Sequence, residues 1–585
     1  MESFVEFLTD ERIIECVCRK RVSEASKRHE YHHKRMLSKD SELPKVTHNV
    51  YKLTPPRRRW KRLGDKGRYV ILPDGHRQLL TTFDRNLKSL MWTIKGDVKS
   101  SKQEHYLEEL YNFIATVKSK VADKQFALSS PRVVPIFKKR GSHGAPDEYR
   151  PICLFEDLSD SIIINLANKY LSRLFDKYFY ENSLAFRPKR LFQGKYTTTF
   201  HHDAIALISQ YMSTMKNRRI YVAECDMQKF YDTVDHQVVK DEFVRLMSFV
   251  QEDNPGFIDD EIVRIFYSYL DCYNFYDAVW CKNANPNYWK SFKIDRGVFG
   301  WVEACRDDSL SVGVERRYLG VPQGGALSGL IANIVINRVD DKVIPKLNKK
   351  HDLYVRYCDD MLLLSTNIRR CKLLFNIYFH ALEEVNLKPH QPKDAPFGTK
   401  EFWNIKSKNV YHWCEDDLRI GSRWIGFVGY EINRHGDVRI RKASLQKEKH
   451  KQKNVINGIF SITYNKSRAN NAALESSYRG TLMSMAIGRA TLWNYKYLKN
   501  EFCWINGFKM LNDNPAVKKQ IRDLDRNRNH IIMRSNQRLS RLGAEIDGGI
   551  VTVGSNKEPS YVRYYGKPFS YYFHYFKNVV EDTNM

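Results

Sequence analysis

The sequence predicts a mixed α+β fold in which helices pack on one face of an antiparallel sheet. An apolar strand pattern over 219–227 ends in a carboxylate, and residues 354–365, YVRYCDDMLLLS, have the pattern of a β-hairpin with two acids at its tip. Amphipathic helical spacing covers 160–179 and 371–386. This alternation indicates a βαββαβ-like order of elements, which is typical of an antiparallel sheet backed by helices.

The other elements follow from pattern and composition. Residues 104–120 have helical apolar spacing, 132–141 predict a strand that enters a basic turn, and 423–441 predict a β-hairpin whose turn is His435-Gly436-Asp437. The chain is then helical and basic to about 540 and ends in an aromatic tail with strand character. We therefore expect four segments: a basic N-terminal extension (1–130), a mixed region (131–440), a helical region (441–540) and a tail (541–585).

The composition favours a globular protein with a polyanionic partner. The 585 residues are 42% hydrophobic and 13% aromatic, which is enough for real cores and excludes wholesale disorder. A formal net charge of +28 is most simply explained by nucleic acid. A membrane is not expected, because no apolar run approaches the roughly 18 residues of a spanning helix. The N-terminus lacks a secretory apolar region, and the eleven cysteines, without zinc spacing, predict reduced thiols in a cytoplasm.

The adjacent acids Asp359 and Asp360 have two interpretations. Asp is a good turn residue, so a tight turn is the simpler one. Two neighbouring carboxylates also repel each other unless a cation neutralises them, which suits Mg²⁺. A third acid, Asp226, closes the apolar strand 219–227, although an Asp there could equally be a cap. If the two strands are neighbours, the three acids converge on two magnesium ions.

A second candidate element lies between them. Gln323, Gly324 and Gly325 precede a helical pattern. Small residues allow the backbone to approach a planar base pair, and the Gln323 amide both donates and accepts hydrogen bonds. A Gly-Gly turn before a helix is also ordinary helix-start chemistry.

These stretches resemble, in order along about 131–445, the motifs of bacterial reverse transcriptases of the group II-intron-like kind. The matching motifs are IFKKRG…EYRPICL (136–154), ENSLAFRP (181–188), DMQKFYD (226–232), VPQGGALSGLIAN (321–333), YCDD (357–360), LKPHQPK (387–393) and WIGFVGYEI (424–432). The resemblance implies a right-hand polymerase, with fingers and palm over 131–440 and a helical thumb over 441–540.

The resemblance also implies a role for each matched residue. Asp226 and Asp359 would ligate both metal ions, with Asp360 in support and the Met227 carbonyl as a further ligand. The nucleotide-binding residues would be Lys138 and Arg150 on the triphosphate, Gln323 and Gly324 at the base pair, and Lys393, which would protonate the leaving pyrophosphate or would be a surface lysine.

Tyr231 falls at the position of the family's steric gate. A bulky ring beneath the sugar excludes a 2′-hydroxyl and so selects deoxynucleotides over ribonucleotides. Ordinary core packing of Phe230 and Tyr231 is the alternative interpretation.

The basic run near residue 60 predicts RNA binding. Cations with an embedded aromatic ring suit phosphate contacts and base stacking, although a charge run is often only a solvated surface. The residues concerned are Arg57, Arg58, Arg59, Trp60, Lys61 and Arg62.

Some features depart from the intron-encoded enzymes. Ala326 and Gly329 stand where those enzymes commonly carry proline, no Cys/His-rich nuclease pattern follows, and the connection 236–319 is unusually long. The chain thus most resembles the defence-associated and abortive-infection reverse transcriptases, some of which prime on their own tyrosine. The tail offers such hydroxyls, although a β-hairpin or an oligomer contact is favoured for them: Tyr561, Tyr564, Tyr565, Tyr571, Tyr572 and Tyr575.

The expected function is RNA-directed DNA synthesis in bacterial antiphage defence. The expected partners are an RNA template, in one interpretation a cognate noncoding RNA, together with the cDNA product and dNTPs; homo-oligomerisation stays open. The alternatives are an intron-derived maturase or retroelement enzyme, protein-primed or template-independent synthesis, and an RNA-binding scaffold built on an inactive polymerase domain. Three clustered acids argue against the scaffold, because they repel one another without metal.

Overall fold

A computed structural model describes most of the chain. The described residues are 1–37, 49–71, 77–100, 104–141, 144–192, 195–304, 318–415, 421–463, 471–486, 507–546 and 568–582. No helix within these ranges is both long enough and apolar enough to cross a membrane. The predicted mixture of helices and sheets is confirmed.

The strands are short and are numbered here in chain order. They are β1 (Tyr69–Ile71), β2 (Arg77–Leu79), β3 (Arg132–Lys139), β4 (Asp147–Leu154), β5 (Arg190–Phe192), β6 (Lys195–Thr197), β7 (Ile220–Cys225), β8 (Gly297–Val298), β9 (Asp352–Tyr357), β10 (Asp360–Ser365), β11 (Lys408–Trp413), β12 (Gly421–Ser422), β13 (Trp424–Phe427), β14 (Tyr430–Asn433) and β15 (Val438–Ile440).

The helices are named by their bounds. The α-helices are Phe4–Phe7, Asp10–Leu37, Thr82–Lys99, His105–Ala122, Leu158–Phe175, His201–Thr214, Phe230–Thr233, His236–Asp253, Asp260–Asp271, Cys281–Asn283, Pro286–Ser291, Gly300–Ala304, Ser328–Val343, Ile368–Glu384, Lys400–Asn404, Lys442–Thr463, Asn471–Ser484, Pro515–Ile546 and Phe569–Asp582. Short 3₁₀ turns and one π-helical turn, Tyr276–Trp280, join some of them.

The chain forms two compact units, and each is discontinuous in sequence. The first comprises Met1–Val17, Thr47–Leu53 and Gln103–Arg423, and the second comprises Cys18–Val46, Thr54–Lys102 and Trp424–Met585. The chain passes between the units several times, so neither is a single segment. The four-segment organisation predicted from composition stays a prediction.

The central sheet of the first unit has five strands in the order β12-β11-β7-β10-β9. The pairings β7/β10, β9/β10 and β7/β11 are antiparallel, and only the edge pair β11/β12 is parallel. Residues 222–225 of β7 and 361–365 of β10 are buried without alternation. Such uninterrupted burial indicates that both faces of these strands are covered. The helix Ile368–Glu384 packs against β7, β10 and β11.

The predicted strand and hairpin at the centre of this sheet are confirmed. Strand β7 pairs with β10 so that Cys225 lies opposite Met361. Strands β9 and β10 form the predicted hairpin, which closes at the Tyr357–Asp360 pair over a two-residue loop, Cys358-Asp359. The hairpin and β7 therefore end side by side.

A second sheet, in the order β3-β4-β8, carries the predicted strand at 132–141. Its third strand comes from the long connection 236–319 and runs parallel to β4. The same connection buries Trp289 beside Gly297, where an added Cβ would lie 2.3 Å from the indole ring. The aromatic residues of this connection thus help to cover the β3-β4 hairpin.

Two predicted elements differ in the structure. Residues 423–441 form three strands, because a second turn at Val428-Gly429 divides the first half of the predicted hairpin; both turn residues have positive φ, 41° and 93°. The His435-Gly436-Asp437 turn is confirmed.

The strand character predicted for the tail is wrong for 569–582, which is helical. Phe569, Tyr572 and Phe573 are buried at helical spacing, so their packing overrides the β-propensity of aromatic residues. The Asp525 carboxylate caps this helix by accepting hydrogen bonds from the backbone N–H groups of Phe569 (2.8 Å) and Ser570 (3.0 Å). Tyr571 is exposed and Tyr572 is buried. Tyr561, Tyr564 and Tyr565 lie outside the described residues.

A buried ion pair lies behind the hairpin loop. The side chains of Arg356, on β9, and Asp340, on the helix Ser328–Val343, are both fully buried, with their closest approach at 2.6 Å. Arg356 Nε contacts both carboxylate oxygens at 3.1 Å, and the Tyr354 hydroxyl donates to the same carboxylate at 2.7 Å. Arg356 Nη1 donates to the Asn333 side chain and to the Cys358 carbonyl, each at 3.2 Å. One guanidinium therefore ties the loop to a helix.

We expect Arg356→Met to destabilise the first unit by about 3–5 kcal/mol, because it leaves the Asp340 carboxylate buried without its counter-charge. Urea unfolding followed by tryptophan fluorescence would measure the change. Arg356→Met combined with Asp340→Leu should recover most of the loss, since no unpaired charge remains. A single variant as stable as the parent chain would contradict this account.

Candidate active site

The first candidate ligand, Asp226, directly follows strand β7. Its backbone N–H donates to the Ser407 hydroxyl at 3.1 Å, and its carbonyl accepts from the His390 N–H at 3.0 Å. Its carboxylate receives the Lys406 ammonium at 2.5 Å. The Asp226 side chain is 16% exposed, so the carboxylate is held in place yet remains open to solvent on one side.

Asp359 lies in the hairpin loop beside Asp226. Cys358, the first loop residue, has a φ of +58°, whereas Asp359 does not have a positive φ. A positive φ at only the first of two loop residues fits a type II′ turn, which normally has glycine there. A cysteine in this conformation is strained, and the hydrogen bond from Arg356 to its carbonyl fixes it. The strained turn fixes the backbone position of Asp359.

Asp226 and Asp359 lie at the same end of the paired strands β7 and β10. Burial raises the pKa of Asp359 above its ordinary value, and the negative charge of Asp226 adds to this shift while Lys406 opposes it. Two carboxylates that repel in this way, next to an ammonium already drawn to one of them, make a suitable place for a cation. Carboxylate oxygens are also the ligands that Mg²⁺ prefers, so the residues present fit the predicted metal.

The predicted cluster of three acids is not completed by Asp360. Asp360 begins strand β10 and is exposed. Within the ranges that the structure describes, no group of three or more His, Cys, Asp or Glu side chains is close enough to hold a metal ion. The structure therefore places Asp226 beside the hairpin as predicted, but it does not assemble the predicted three-acid cluster. The positive charge at Asp226 comes from Lys406.

The segment that resembles the LKPHQPK motif packs against the backbone after Asp226. Met227 and Pro389 form an isolated antiparallel bridge, held by hydrogen bonds to the Asp226 and Lys388 carbonyls. The Met227 carbonyl takes no part in those two bonds. Lys393 is exposed and lines a cavity of about 490 Å³ with Phe397, Phe402 and Tyr411.

Tyr231 lies against the hairpin loop. It belongs to the short helix Phe230–Thr233, not to a strand, and so the predicted alternation of Phe230 and Tyr231 on a strand does not apply. The Tyr231 hydroxyl lies 3.4 Å from the Cys358 sulfur, and its ring is half-buried while Phe230 is buried. Burial and the neighbouring Cys358 raise the pKa of Tyr231 well above its ordinary value, so its hydroxyl stays protonated.

The Gln323 side chain is hydrogen-bonded to the carboxylate of Asp232, a residue that was not predicted from the sequence. Its Nε2 donates to Asp232 Oδ1 at 2.9 Å, which directs the amide oxygen away from Asp232. Asp232 is 1% exposed, and its Oδ2 has no hydrogen-bond partner in the described part of the chain. Burial raises the pKa of Asp232 to about 6, although Gln323 and Lys229 act in the opposite direction. Gly324, with a φ of +89°, packs against Ile152 of β4.

The predicted triphosphate contacts lie on the β3-β4 hairpin. Lys138 donates to the Glu148 carboxylate at 3.2 Å, and Arg150, exposed, lies opposite Ile136. Lys229 lies close to Lys138: burial, together with the positive charge of Lys138, lowers the pKa of Lys229 to about 8. The site therefore contains a third cation beyond the two predicted.

The predicted RNA-binding run lies in the second unit and is only partly exposed. Trp60 is buried, its indole N–H donates to the Pro55 carbonyl at 2.9 Å, and the guanidinium carbons of Arg21 and Arg57 lie 5.3 and 5.2 Å from its ring centre. Trp60 is thus not placed where a base could stack on it. Arg59 pairs with Asp97 at 3.1 Å. The exposed cations of the run are Arg57, Arg58, Lys61 and Arg62.

Four further residues of this candidate site were not predicted from the sequence. They are Lys229, Asp232, Arg356 and Lys406. A signal existed for three of them: Lys229 and Asp232 lie inside DMQKFYD, and Arg356 is the one basic residue of strand β9. Lys406 has no such signal, because it meets Asp226 across 180 residues of chain.

The comparison with family models agrees with this geometry. Residues 245–402 match the family described as Reverse transcriptase (RNA-dependent DNA polymerase). The chain carries a reverse transcriptase domain. The matched stretch contains Gln323, Asp359, Asp360 and Lys393, whereas Asp226 and Tyr231 precede it. This domain is that of an RNA-directed DNA polymerase.

The other comparisons add little to the reverse transcriptase assignment. The comparison with curated proteins finds no match. Similar solved structures include telomerase from Candida albicans in complex with a TWJ fragment of telomeric RNA, at 14% identity and a TM-score of 0.31 over 78% of this chain and 70% of that one. Apo telomerase from Candida tropicalis gives 12% identity and a TM-score of 0.35 over 84% and 79%. Such TM-scores are too low to support any conclusion.

The buried Asp232 makes a prediction about pH. Its pKa rises from 3.8 unfolded to about 6 in the reverse transcriptase domain, so the native state keeps the proton to higher pH. Stability therefore falls as pH rises from about 4 to 6, by about 3 kcal/mol in all. Asp232→Asn should remove this loss and still accept the bond from Gln323.

Thermal unfolding by differential scanning fluorimetry would measure the effect. At pH 7.5 Asp232→Asn should unfold at a higher temperature than the parent chain, and at pH 4 the two should coincide. Asp241→Asn, at an exposed acid, is the matched control and should show neither effect. An equal difference at both pH values would contradict the assigned shift.

Proposed function

We propose that the enzyme is a Mg²⁺-dependent reverse transcriptase that copies an RNA template into cDNA in the cytoplasm. The observation that carries this proposal is the pairing of β7 with β10, which puts Asp226 and Asp359 at the same end of neighbouring strands, with Lys406 paired to Asp226 and the Tyr231 hydroxyl against Cys358. Magnesium would be held by Asp226, Asp359 and the Met227 carbonyl, with Asp360 in support, and would supply the charge that activates the primer's 3′ oxygen and neutralises pyrophosphate.

The surrounding residues have distinct tasks in this proposal. Lys138, Arg150 and Lys229 bind the incoming triphosphate, as clustered cations bind phosphate oxygens. Gln323 and Gly324 contact the nascent base pair, and Asp232 orients the Gln323 amide. Lys406 neutralises Asp226 when no nucleotide is bound, and Lys393 remains the candidate for proton transfer to pyrophosphate.

The finer biological role is supported by sequence features. Ala326 and Gly329 stand at positions where intron-encoded enzymes commonly carry proline, which favours an antiphage defence enzyme that acts on a dedicated noncoding RNA. Arg58, Lys61 and Arg62 are its proposed contacts with RNA phosphates, because they are the exposed cations of the run without a described side-chain contact of their own.

The polymerase proposal is tested by primer extension with purified protein, Mg²⁺, labelled dNTPs and a primed RNA template. Asp359→Ala with Asp360→Ala should lower incorporation by more than about a hundredfold, since even indirect supports of metal ligands cost ten- to a hundredfold. Glu383→Ala with Glu384→Ala, an exposed adjacent acid pair, is the matched control and should leave incorporation unchanged.

Absence of incorporation by the parent chain on any primed or unprimed RNA would favour an RNA-binding scaffold. The defence role has its own readout, which is plaque formation on bacteria that express each variant. Phage resistance that is lost in the Asp359/Asp360 variant and kept in the Glu383/Glu384 variant is the expected result. Equal phage resistance in the two variants would show that defence does not require DNA synthesis.

Tyr231 provides a separate test of nucleotide choice. Tyr231→Ala should raise ribonucleotide incorporation relative to deoxynucleotide incorporation by at least about tenfold, since removal of the ring leaves room for the 2′-hydroxyl. Competition between labelled dNTPs and rNTPs on one template would measure the ratio. Tyr231→Phe should keep the parent preference, and an unchanged preference in Tyr231→Ala would remove the steric role.

A further inference from the structure

The loop that carries Gln323, residues 319–325, is attached by its backbone to the segment 231–236. Two N–H groups of this Gln323 loop, those of Gly320 and Val321, donate to carbonyls of the segment at 2.8 and 2.7 Å. One further residue of each stretch forms an isolated antiparallel bridge. The residue assigned to the nascent base pair is therefore fixed to the segment that contains the proposed sugar gate.

A buried imidazole reinforces this attachment at the entry of the Gln323 loop. His236 is 2% exposed, and its Nε2 lies 2.6 Å from the Gly320 carbonyl oxygen. A carbonyl only accepts hydrogen bonds, so Nε2 carries the proton. Gly320 has a φ of +89°, and an added Cβ would lie 3.2 Å from the Asp232 carbonyl oxygen. The loop thus passes close to the backbone of the segment, and His236 holds it there.

A chain of two hydroxyl groups holds the loop from another side. The Ser328 hydroxyl donates to the Pro322 carbonyl at 2.6 Å, and the Tyr269 hydroxyl lies 2.8 Å from the same Ser328 oxygen. Because Ser328 gives its single proton to a carbonyl, Tyr269 is the donor to Ser328. Burial raises the pKa of Tyr269 well above its ordinary value, so its hydroxyl keeps the proton that it donates. Pro322 directly precedes Gln323, which is where this chain of hydrogen bonds ends.

Tyr269 also explains the glycine at position 325. A Cβ on Gly325 would lie 1.9 Å from the Tyr269 hydroxyl oxygen and 3.1 Å from the ring carbon that bears it. The first distance is a severe overlap, whereas the second is only a tight contact. The Tyr269 hydroxyl, more than its ring, therefore sets how closely the Gln323 loop approaches the helix Asp260–Asp271.

We propose that Tyr269 and His236 are positioning residues for nucleotide selection, because together they fix Gln323 beside the Tyr231 segment. The proposal rests on the proposed function, in which Gln323 contacts the nascent base pair. Neither side chain touches the nucleotide in this proposal. Each acts on the backbone of the Gln323 loop, and both come from the connection 236–319, whose length departs from the intron-encoded enzymes.

The hydroxyl chain is tested by double-mutant cycles in single-nucleotide primer extension with the full chain. Tyr269→Phe should raise the KM for the correct dNTP about threefold to tenfold, the size of one hydrogen bond. The value of kcat should change less than about twofold, since the lost contact acts on nucleotide binding. Ser328→Ala should have the same effect, and the two substitutions together should raise KM no further, because both break one chain.

Gly325→Ala gives the second cycle. It should raise the dNTP KM more than about tenfold, because the new methyl group and the Tyr269 oxygen cannot occupy their places together. Adding Tyr269→Phe removes that oxygen, so the double variant should return to within about threefold of Tyr269→Phe alone. Effects that multiply in both cycles would overturn the assigned role of Tyr269.

Tyr267→Phe is the matched control on the same helix. It removes a hydroxyl from a half-buried ring whose centre lies 6.1 Å from that of Phe243, and it should leave the dNTP KM unchanged.

His236 is tested by two substitutions that differ in one donor. His236→Gln retains a side-chain N–H for the Gly320 carbonyl and should keep the dNTP KM within about threefold of the parent chain. His236→Leu lacks the donor and should raise KM up to about tenfold, with kcat nearly unchanged. Equal effects of the two substitutions would overturn the hydrogen-bonded role of His236.

A chain-terminated primer separates this proposal from the polymerase proposal. On such a primer the next dNTP binds without being incorporated, and the dNTP concentration that stabilises the complex in a gel shift measures binding. Binding weakened by Tyr269→Phe in a chain that extends no ordinary primer would support the positioning role and overturn the polymerase proposal. Parent-like binding and KM in Tyr269→Phe and His236→Leu would overturn the positioning role while polymerisation stands. A parent chain that forms no dNTP-dependent complex would overturn both.

Discussion

The site depends on one buried contact, the Arg356–Asp340 ion pair. Arg356 joins the hairpin loop to two distant segments: its side chain reaches Asp340 and Asn333 on one helix and the carbonyl of the loop residue Cys358, and its backbone bonds to residues 182 and 184. A buried pair of this kind contributes little net stability, yet its loss is costly because one charge is stranded. Its main effect is positional, since it fixes a strained loop that would otherwise relax.

The candidate catalytic residues lie close to charges of both signs. Asp226 and Asp359 repel each other, and Lys406 offsets part of that repulsion from the side. Lys229, which follows Asp226 closely in the sequence, lies close to Lys138 and near the buried Asp232. In the proposed function, acids on one side and cations on the other would bind metal and triphosphate together more readily than either alone, because each would neutralise the other's excess charge.

Local pattern predicted much of the fold, and its failures have physical causes. Strand β7, the hairpin and the helix Ile368–Glu384 were predictable, because apolar periodicity and turn residues report local structure. The tail helix Phe569–Asp582 was not, since its aromatic residues suit a strand and only their burial and the cap from Asp525 select a helix. The predicted stacking role of Trp60 failed for a similar reason, because local pattern does not show that Arg21 and Arg57 lie against its ring in the folded chain.

Local patterns in the sequence indicated the candidate site residues and the elements that hold them: the acid after a buried strand, two acids at a hairpin tip, and a glutamine before a glycine-rich helix start. Tertiary structure alone decided their neighbours. The register that sets Cys225 opposite Met361, Lys406 at Asp226, and Phe186 against Gly329 all join residues more than a hundred positions apart. Such contacts depend on strand register and on helix packing, which local periodicity does not specify.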